Sequence, residues 1–137
     1  MQIPEHISLY VHIPWCEKKC LYCDFNSHEI RESIPEENYL DALLRDLSEN
    51  RKYLIDRKIM TVFFGGGTPS TMSSNFYTKF LTQLRNNYDV DGYAEITLEA
   101  NPGTSDEEKL EGYFDAGINR ISIGVQTIND RLLAVIG

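Results

Sequence analysis

Ile59-Met60-Thr61-Val62-Phe63-Phe64-Gly65-Gly66-Gly67-Thr68-Pro69-Ser70 is an apolar, β-rich run that breaks on three glycines, a threonine and a proline. Residues 59–64 predict a strand, continuously apolar at its end, as expected when both faces are covered. The glycines then make a sharp turn. Without side chains they let a ligand lie on the backbone, and exposed N–H groups could take a carboxylate or phosphate. The turn is neither a phosphate-binding P-loop, because no lysine follows at the required place, nor the dinucleotide pattern GxGxxG. In isolation it reads equally well as a tight turn at a strand end.

The same unit recurs on both sides. After the turn, Ser73 or Ser74 is set to cap a helix over about 74–87, with Phe76, Phe80, Leu81 and Leu84 on the buried side. Upstream, residues 8–13 (SLYVHI) predict a strand stopped by Pro14. Residues 14–37 read as irregular, and 38–56 predict a helix with Leu40, Leu43, Leu44, Leu47 and Tyr53 or Leu54 on one side. Downstream, residues 93–100 predict a third strand, closed by Asn101-Pro102-Gly103. Thr104 or Ser105 then caps a helix that carries Glu107 and Glu108 near its positive end and stops at Gly117. Residues 119–125 predict a fourth strand, with a helix beginning near Asn129 or Asp130. Four strand–helix units imply an α/β fold with a parallel sheet and right-handed crossovers. They fit a β/α barrel, or half of one, as well as a doubly wound sheet. In either, the loops after the strands form the rim where ligands bind.

At 137 residues the chain is long enough for one core. Its 42% hydrophobic and 25% charged content is that of a globular chain. No run is long enough to cross a bilayer. The start, MQIPEHISLYVHIPW, has no basic stretch leading into a long apolar one, so no secretory signal is expected and the cytoplasm is the default location. A net charge of -8 disfavours a large nucleic-acid footprint.

All three cysteines lie between residues 16 and 23, in PWCEKKCLYCDF. An odd count argues against a disulfide framework and, in a reducing compartment, points to metal. Soft thiolates at these spacings can wrap an iron–sulfur centre, and three of them would leave one iron of a [4Fe–4S] cube open. Two other readings compete. The thiols could be small buried hydrophobes, although Glu17, Lys18, Lys19 and Asp24 beside them are not core residues. They could also bind zinc, with His12 or His28 as fourth ligand, although CxxxCxxC is unlike the usual zinc pairs. Glu99 at a strand end and Gln126 after Ser122-Ile123-Gly124-Val125 are each either rim residues or ligand contacts. Glu95 shares the strand face of Glu99.

YVHIPWCEKKCLYCDF resembles the signature of the radical S-adenosylmethionine (SAM) superfamily. FFGGGTPS, ITLEANPG and NRISIGVQ follow in that family's order over residues 8–126. The resemblance implies a (β/α)6 TIM-like partial barrel of the radical SAM type, of which about four β/α units are present. It implies Cys16, Cys20 and Cys23 as ligands of a [4Fe–4S] cluster whose fourth iron SAM chelates. Tyr10, Tyr22, Gly66, Gly67, Thr68, Glu99 and Gln126 match its SAM contacts. Gly66, Gly67 and Thr68 serve the amino-acid end of SAM, and Gln126 the nucleoside. The chemistry implied is one-electron cleavage of SAM to methionine and a 5′-deoxyadenosyl radical, with the protein orienting the cofactors.

Within the superfamily the motifs are similar to the coproporphyrinogen III oxidase-like group, and most of all to its HemW-type haem chaperones. That branch implies haem as cargo, a haem-acceptor protein and an electron donor for the cluster. The oxidase proper has a cysteine two positions beyond its last ligand, where this chain has Phe25, which lowers the oxidase reading. His12 and His28 could ligate haem by chemistry alone, and neither is assigned to it. Members of the family are several hundred residues long, so residues 1–137 are expected to be the front of the core domain. An arginine and an aspartate that complete SAM binding would then fall beyond Gly137.

Overall fold

The structure is a computed structural model and describes residues 5–136. The first four positions of the segment read for a targeting signal, and Gly137, lie outside that range. In chain order the elements are β1 (His6–Ile13), β2 (Trp15–Cys16), β3 (His28–Glu29), α1 (Glu36–Glu49), β4 (Lys58–Gly66), α2 (Ser74–Asn87), β5 (Val90–Ala100), α3 (Glu107–Ala116), β6 (Arg120–Ile123) and α4 (Asp130–Ile136).

Strands β1, β4, β5 and β6 form one sheet in that order, every pair parallel. Each new strand adds beyond the last, and the order never reverses. A doubly wound sheet reverses at a switch point, whereas a barrel wall proceeds one way. Helices α1, α2 and α3 follow the same progression, α2 packing against both neighbours. The ambiguity left by periodicity is therefore settled as an arc of barrel.

Strand parity separates the two faces. Val11 and Ile13, Val62 and Phe64, and Ile96, Leu98 and Ala100 are buried toward the helices. There they meet Leu40 and Leu47 of α1, Phe76, Phe80 and Leu84 of α2, and Tyr113 of α3 in one core. Each buried Val, Ile, Leu or Phe among them contributes about 1.5–3 kcal/mol by burial. On the opposite face the register sets Tyr10, Phe63, Thr97 and Arg120 in a row, and Glu99 beside Ser122. Glu95 is on that face too. Its Oε1 accepts from Thr97 Oγ1 at 2.9 Å and lies 3.5 Å from the Arg120 guanidinium.

Several boundaries differ from expectation for local reasons. α1 ends at Glu49, where Asn50 turns its side chain back to the Asp46 carbonyl, and a 3-10 turn follows over Arg51–Tyr53. Leu54 is buried and Tyr53 exposed. α1 has no side-chain cap; its Glu36 instead accepts from Ser73 N (2.7 Å) and Ser73 Oγ (2.5 Å) at the start of α2. Ser73 caps α2 as expected, accepting from Phe76 N. Asp106, not Thr104 or Ser105, caps α3, because both hydroxyls are turned back onto the Asn101 carbonyl. Gly117 ends α3 at φ +104°, where a side chain would be strained. β6 stops at Ile123, shorter than the predicted 119–125. The loop read as irregular contains the parallel pair β2 and β3, with Trp15 opposite His28 and Cys16 opposite Glu29. Among the described residues no helix is long and apolar enough to cross a membrane.

Candidate functional site

The carboxyl ends of the four sheet strands open on a cavity of about 340 Å³, within the range of about 300–1,000 Å³ usual for small-molecule sites. Cys16, Cys20, Tyr22 and Cys23 come to it from the loop after β1. Gly66, Gly67 and Thr68 come from the turn after β4, Glu99 and Asn101 from the end of β5, and Ser122, Gly124 and Gln126 from the segment after β6. All three thiols are free; Cys16 is buried, whereas Cys20 and Cys23 are partly exposed. Gln126 has φ +62°, and its amide lies against Gly124, where a Cβ would stand 3.0 Å from Nε2.

Tyr10 is the one predicted site residue outside the cavity wall. It lies on the open sheet face, stacked on Phe63 at 6.3 Å between ring centroids. Tyr10 and Glu99 lean together over Gly65, where a Cβ would meet the tyrosine ring at 3.1 Å and Glu99 Oε2 at 3.0 Å. Partial burial first, and the Glu99 carboxylate second, hold the Tyr10 phenol above the ordinary tyrosine value.

His12 ties this face to the cysteine loop. Its Nε2 is 2.8 Å from the Asn26 carbonyl and its Nδ1 2.9 Å from Tyr10 Oη. A carbonyl can only accept, so Nε2 carries the proton in the neutral ring, and Tyr10 donates to Nδ1. The ring lies against Gly66, at φ +116°, where a Cβ would approach it to 2.6 Å. His12 is thus engaged on both nitrogens. His28 borders a separate cavity with Trp15. Neither histidine lines the cysteine cavity.

The glycine turn differs from expectation in one respect. The Gly67 and Thr68 N–H groups donate to the Ile13 and Trp15 carbonyls, both at 2.7 Å. They fasten the turn to the cysteine segment and are not free for an anion. The glycines are needed for close approach, since a Cβ on Gly67 would stand 2.6 Å from the Trp15 carbonyl oxygen.

Beneath the turn lies a buried polar network that sequence reading missed. Ser70 Oγ pairs with Thr104 Oγ1. The Ser70 carbonyl accepts from Lys109 Nζ (2.6 Å) and Tyr113 Oη (2.9 Å). Tyr113 also donates to the Met72 carbonyl, and Tyr77 to that of Pro69. Burial, reinforced by nearby charges, drives both phenols well above the ordinary tyrosine value. The only signal for this in the sequence is a tyrosine among the apolar positions of each helix.

Among the described residues no three His, Cys, Asp or Glu side chains stand close enough together to hold a metal ion. The donor set nonetheless suits a thiolate-bound cluster, with three unpaired thiols facing one cavity and polar groups opposite.

Residues 10–137 match the sequence profile of the radical SAM superfamily. The chain belongs to that superfamily. It is 47% identical over 135 residues to the heme chaperone HemW of Haemophilus influenzae, covering 96% of this chain and 35% of that protein. To the heme chaperone HemW of Escherichia coli K12 it is 45% identical over 131 residues, again 96% and 35%. The solved structure of coproporphyrinogen III oxidase (HemN) from E. coli, described as a radical SAM enzyme, superposes with a TM-score of 0.86 at 32% identity. That match covers 94% of this chain and 30% of the oxidase. The chain therefore spans about a third of the length of the relatives it matches. Its one-way parallel sheet is part of the radical SAM barrel, and the relatives just described bear the names of heme chaperones and of a coproporphyrinogen III oxidase.

Proposed function

We propose that this chain is the N-terminal portion of the radical SAM core domain of a HemW-type haem chaperone, which binds a [4Fe–4S] cluster, SAM and haem and passes haem to an acceptor protein. The observation that carries the reading is the convergence of three free thiols, the glycine turn, Glu99 and Gln126, from four successive strand ends, on one cavity.

In this reading Cys16, Cys20 and Cys23 hold the cluster and leave one iron for SAM. When bound, the cluster supplies one-electron cleavage of SAM. Gly66, Gly67 and Thr68 receive the amino-acid end. Glu99 accepts hydrogen bonds from SAM, and Gln126 holds the nucleoside. Tyr22 stands beside two of the thiols. Tyr10, its hydroxyl committed to His12 and its ring stacked on Phe63, supports the Glu99 end from below. A further protein reduces the cluster. Thiolate ligation needs a reducing compartment, which favours the cytoplasm.

A second reading is supported by the likeness to the solved oxidase: oxygen-independent decarboxylation of coproporphyrinogen III. Phe25 on the cavity rim, where the oxidase has cysteine, favours the chaperone. The test uses the full-length protein, reconstituted anaerobically. Iron with labile sulfide, and stoichiometric haem binding with little turnover of coproporphyrinogen III, are expected. Robust decarboxylation would replace the chaperone with the oxidase, and zinc without iron or sulfide would remove both.

A further inference from the structure

Asn101 lines the cavity and has no role in the site described so far. Its backbone is tied down on every side. The N–H donates to Ser70 Oγ at 3.2 Å. The carbonyl accepts from Thr104 N (3.0 Å), Thr104 Oγ1 (3.1 Å) and Ser105 Oγ (3.1 Å). Together with the Ser70–Thr104 hydroxyl pair, the Asn101 backbone locks the turn after β4 to the turn after β5.

The side chain is the reverse. It is exposed and lines the cavity. Its Nδ2 reaches Thr68 Oγ1 only at 3.4 Å, the weak limit of a hydrogen bond. Its Oδ1 faces Gly124, where a Cβ would stand 3.4 Å away and also 3.0 Å from Gln126 Nε2. A carboxamide has two donors and two acceptor sites. Among the described residues that one long bond is the whole of its side-chain pairing. A fixed backbone carrying an under-used amide, aimed between Thr68 and Gln126, is the arrangement of a preorganised ligand contact.

We propose that Asn101 is a further binding residue of this cavity, spanning the two ends of an amino-acid nucleoside. Nδ2 donates to the ligand's carboxylate on the Thr68 side, and Oδ1 accepts from a hydroxyl or amine on the Gln126 side. The proposal rests on the SAM-binding reading above and adds to it the residue that joins its two halves. Glycine at 124 leaves room for both amides, since a Cβ there would press on Gln126 Nε2 and touch Asn101 Oδ1.

The test is SAM binding by equilibrium dialysis to full-length, cluster-loaded protein, comparing wild type, Asn101→Ala and Thr104→Val. Iron and sulfide content and Tm are recorded on each sample. Thr104 props the same turn from outside the cavity, so its variant reports what loosening the scaffold does by itself. Asn101→Ala is expected to weaken SAM about tenfold, the loss of one to two hydrogen bonds, with iron content and Tm as in wild type. Thr104→Val is expected to lower Tm and to weaken SAM by less. Unchanged SAM affinity in Asn101→Ala would overturn the proposal. So would a loss matched in Thr104→Val and accompanied by the same fall in Tm, which would make Asn101 scaffold only. Should the wild-type protein hold its cluster and bind no SAM, the reading of the cavity falls, and Asn101 with it.

Discussion

The turn after β4 and the loop after β1 face each other across one cavity and are built in opposite ways. Thr68, Pro69, Ser70 and Met72 are buried, and the carbonyls of the last three are bonded from below by Tyr77, Lys109 and Tyr113. Of residues 17–26, by contrast, Leu21, Tyr22 and Phe25 are exposed aliphatic or aromatic side chains. Inside that loop the bonds are few: Cys23 N to the Cys20 carbonyl at 3.1 Å, and long 3.4 Å contacts from Lys19 Nζ to the Phe25 and Ser27 carbonyls. Its two ends are pinned, by β2 against β3 and by His12 on Asn26. The protein thus supplies one wall ready-made. It supplies the other as a tethered loop with few bonds of its own, which in the proposed reading is ordered further when the thiols take up the cluster.

The largest effect should come from breaking the loop's own chemistry. Cys20→Ala in the full-length protein is expected to abolish cluster uptake, with iron and sulfide near background after anaerobic reconstitution. Tm of the metal-free protein should match that of metal-free wild type, because Cys20 contributes little to the core. Full cluster content in this variant would take Cys20 out of the ligand set.

On the turn side the damage should go to folding instead. Gly66 holds φ +116° with His12 packed against it. Gly66→Ala therefore imposes backbone strain of about 1–3 kcal/mol, to which the clash with the imidazole adds. A fall of that size in urea unfolding free energy is expected. A change below about 0.5 kcal/mol would mean that His12 swings away easily, and that the turn is less rigid than its bonds imply.

Much of this contrast could be read in the sequence, but not its cause. The strands were legible because β4 ends in a near-continuous apolar run and β5 sets Ala94, Ile96, Leu98 and Ala100 on one face. Helix α2 was legible because Phe76, Phe80, Leu81 and Leu84 share one face and Ser73 stands before them. The strand order was not legible, since it depends on pairing between residues as distant as Phe63 and Thr97. Motif resemblance placed the thiols, the glycine turn, Glu99 and Gln126 at one rim, and the structure brings them to one cavity. It did not show that the Gly67 and Thr68 N–H groups are already spent on Ile13 and Trp15. Nor did it reveal Asn101, bonded to Ser70 31 residues away in the chain, or the tyrosines under the turn, of which Tyr113 is bonded to Ser70 43 residues away.

Those tyrosines give a smaller, pH-dependent effect. Tyr113→Phe removes bonds to the Ser70 and Met72 carbonyls, worth about 0.5–1.5 kcal/mol in net stability near neutral pH. The folded protein also holds the Tyr77 and Tyr113 protons to higher pH than the unfolded chain does. Above pH of about 10 the unfolded state binds fewer protons, so stability falls as pH rises. Below that pH the term is constant. Urea titrations at pH 8 and 10.5 should show wild type losing stability and Tyr113→Phe losing less of it. Equal losses would assign the alkaline sensitivity to other groups.

The smallest effect tests the loop at its most exposed point. Leu21 sits between two of the thiols yet is 88% exposed, whereas Met72, at the foot of the opposite turn, is fully buried. A buried residue of that size is held by the core and its loss opens a cavity. An exposed one has no contacts to lose. Leu21→Ala is therefore expected to change the stability of the metal-free protein by no more than about 0.5 kcal/mol, and to leave iron and sulfide uptake unchanged. A clear loss of stability would show that the loop packs more tightly against the rest of the protein than its exposure allows. A clear loss of cluster with stability intact would mean that Leu21 folds over the cluster once it is bound, and that the loop's order is set by an apolar lid as well as by its thiols.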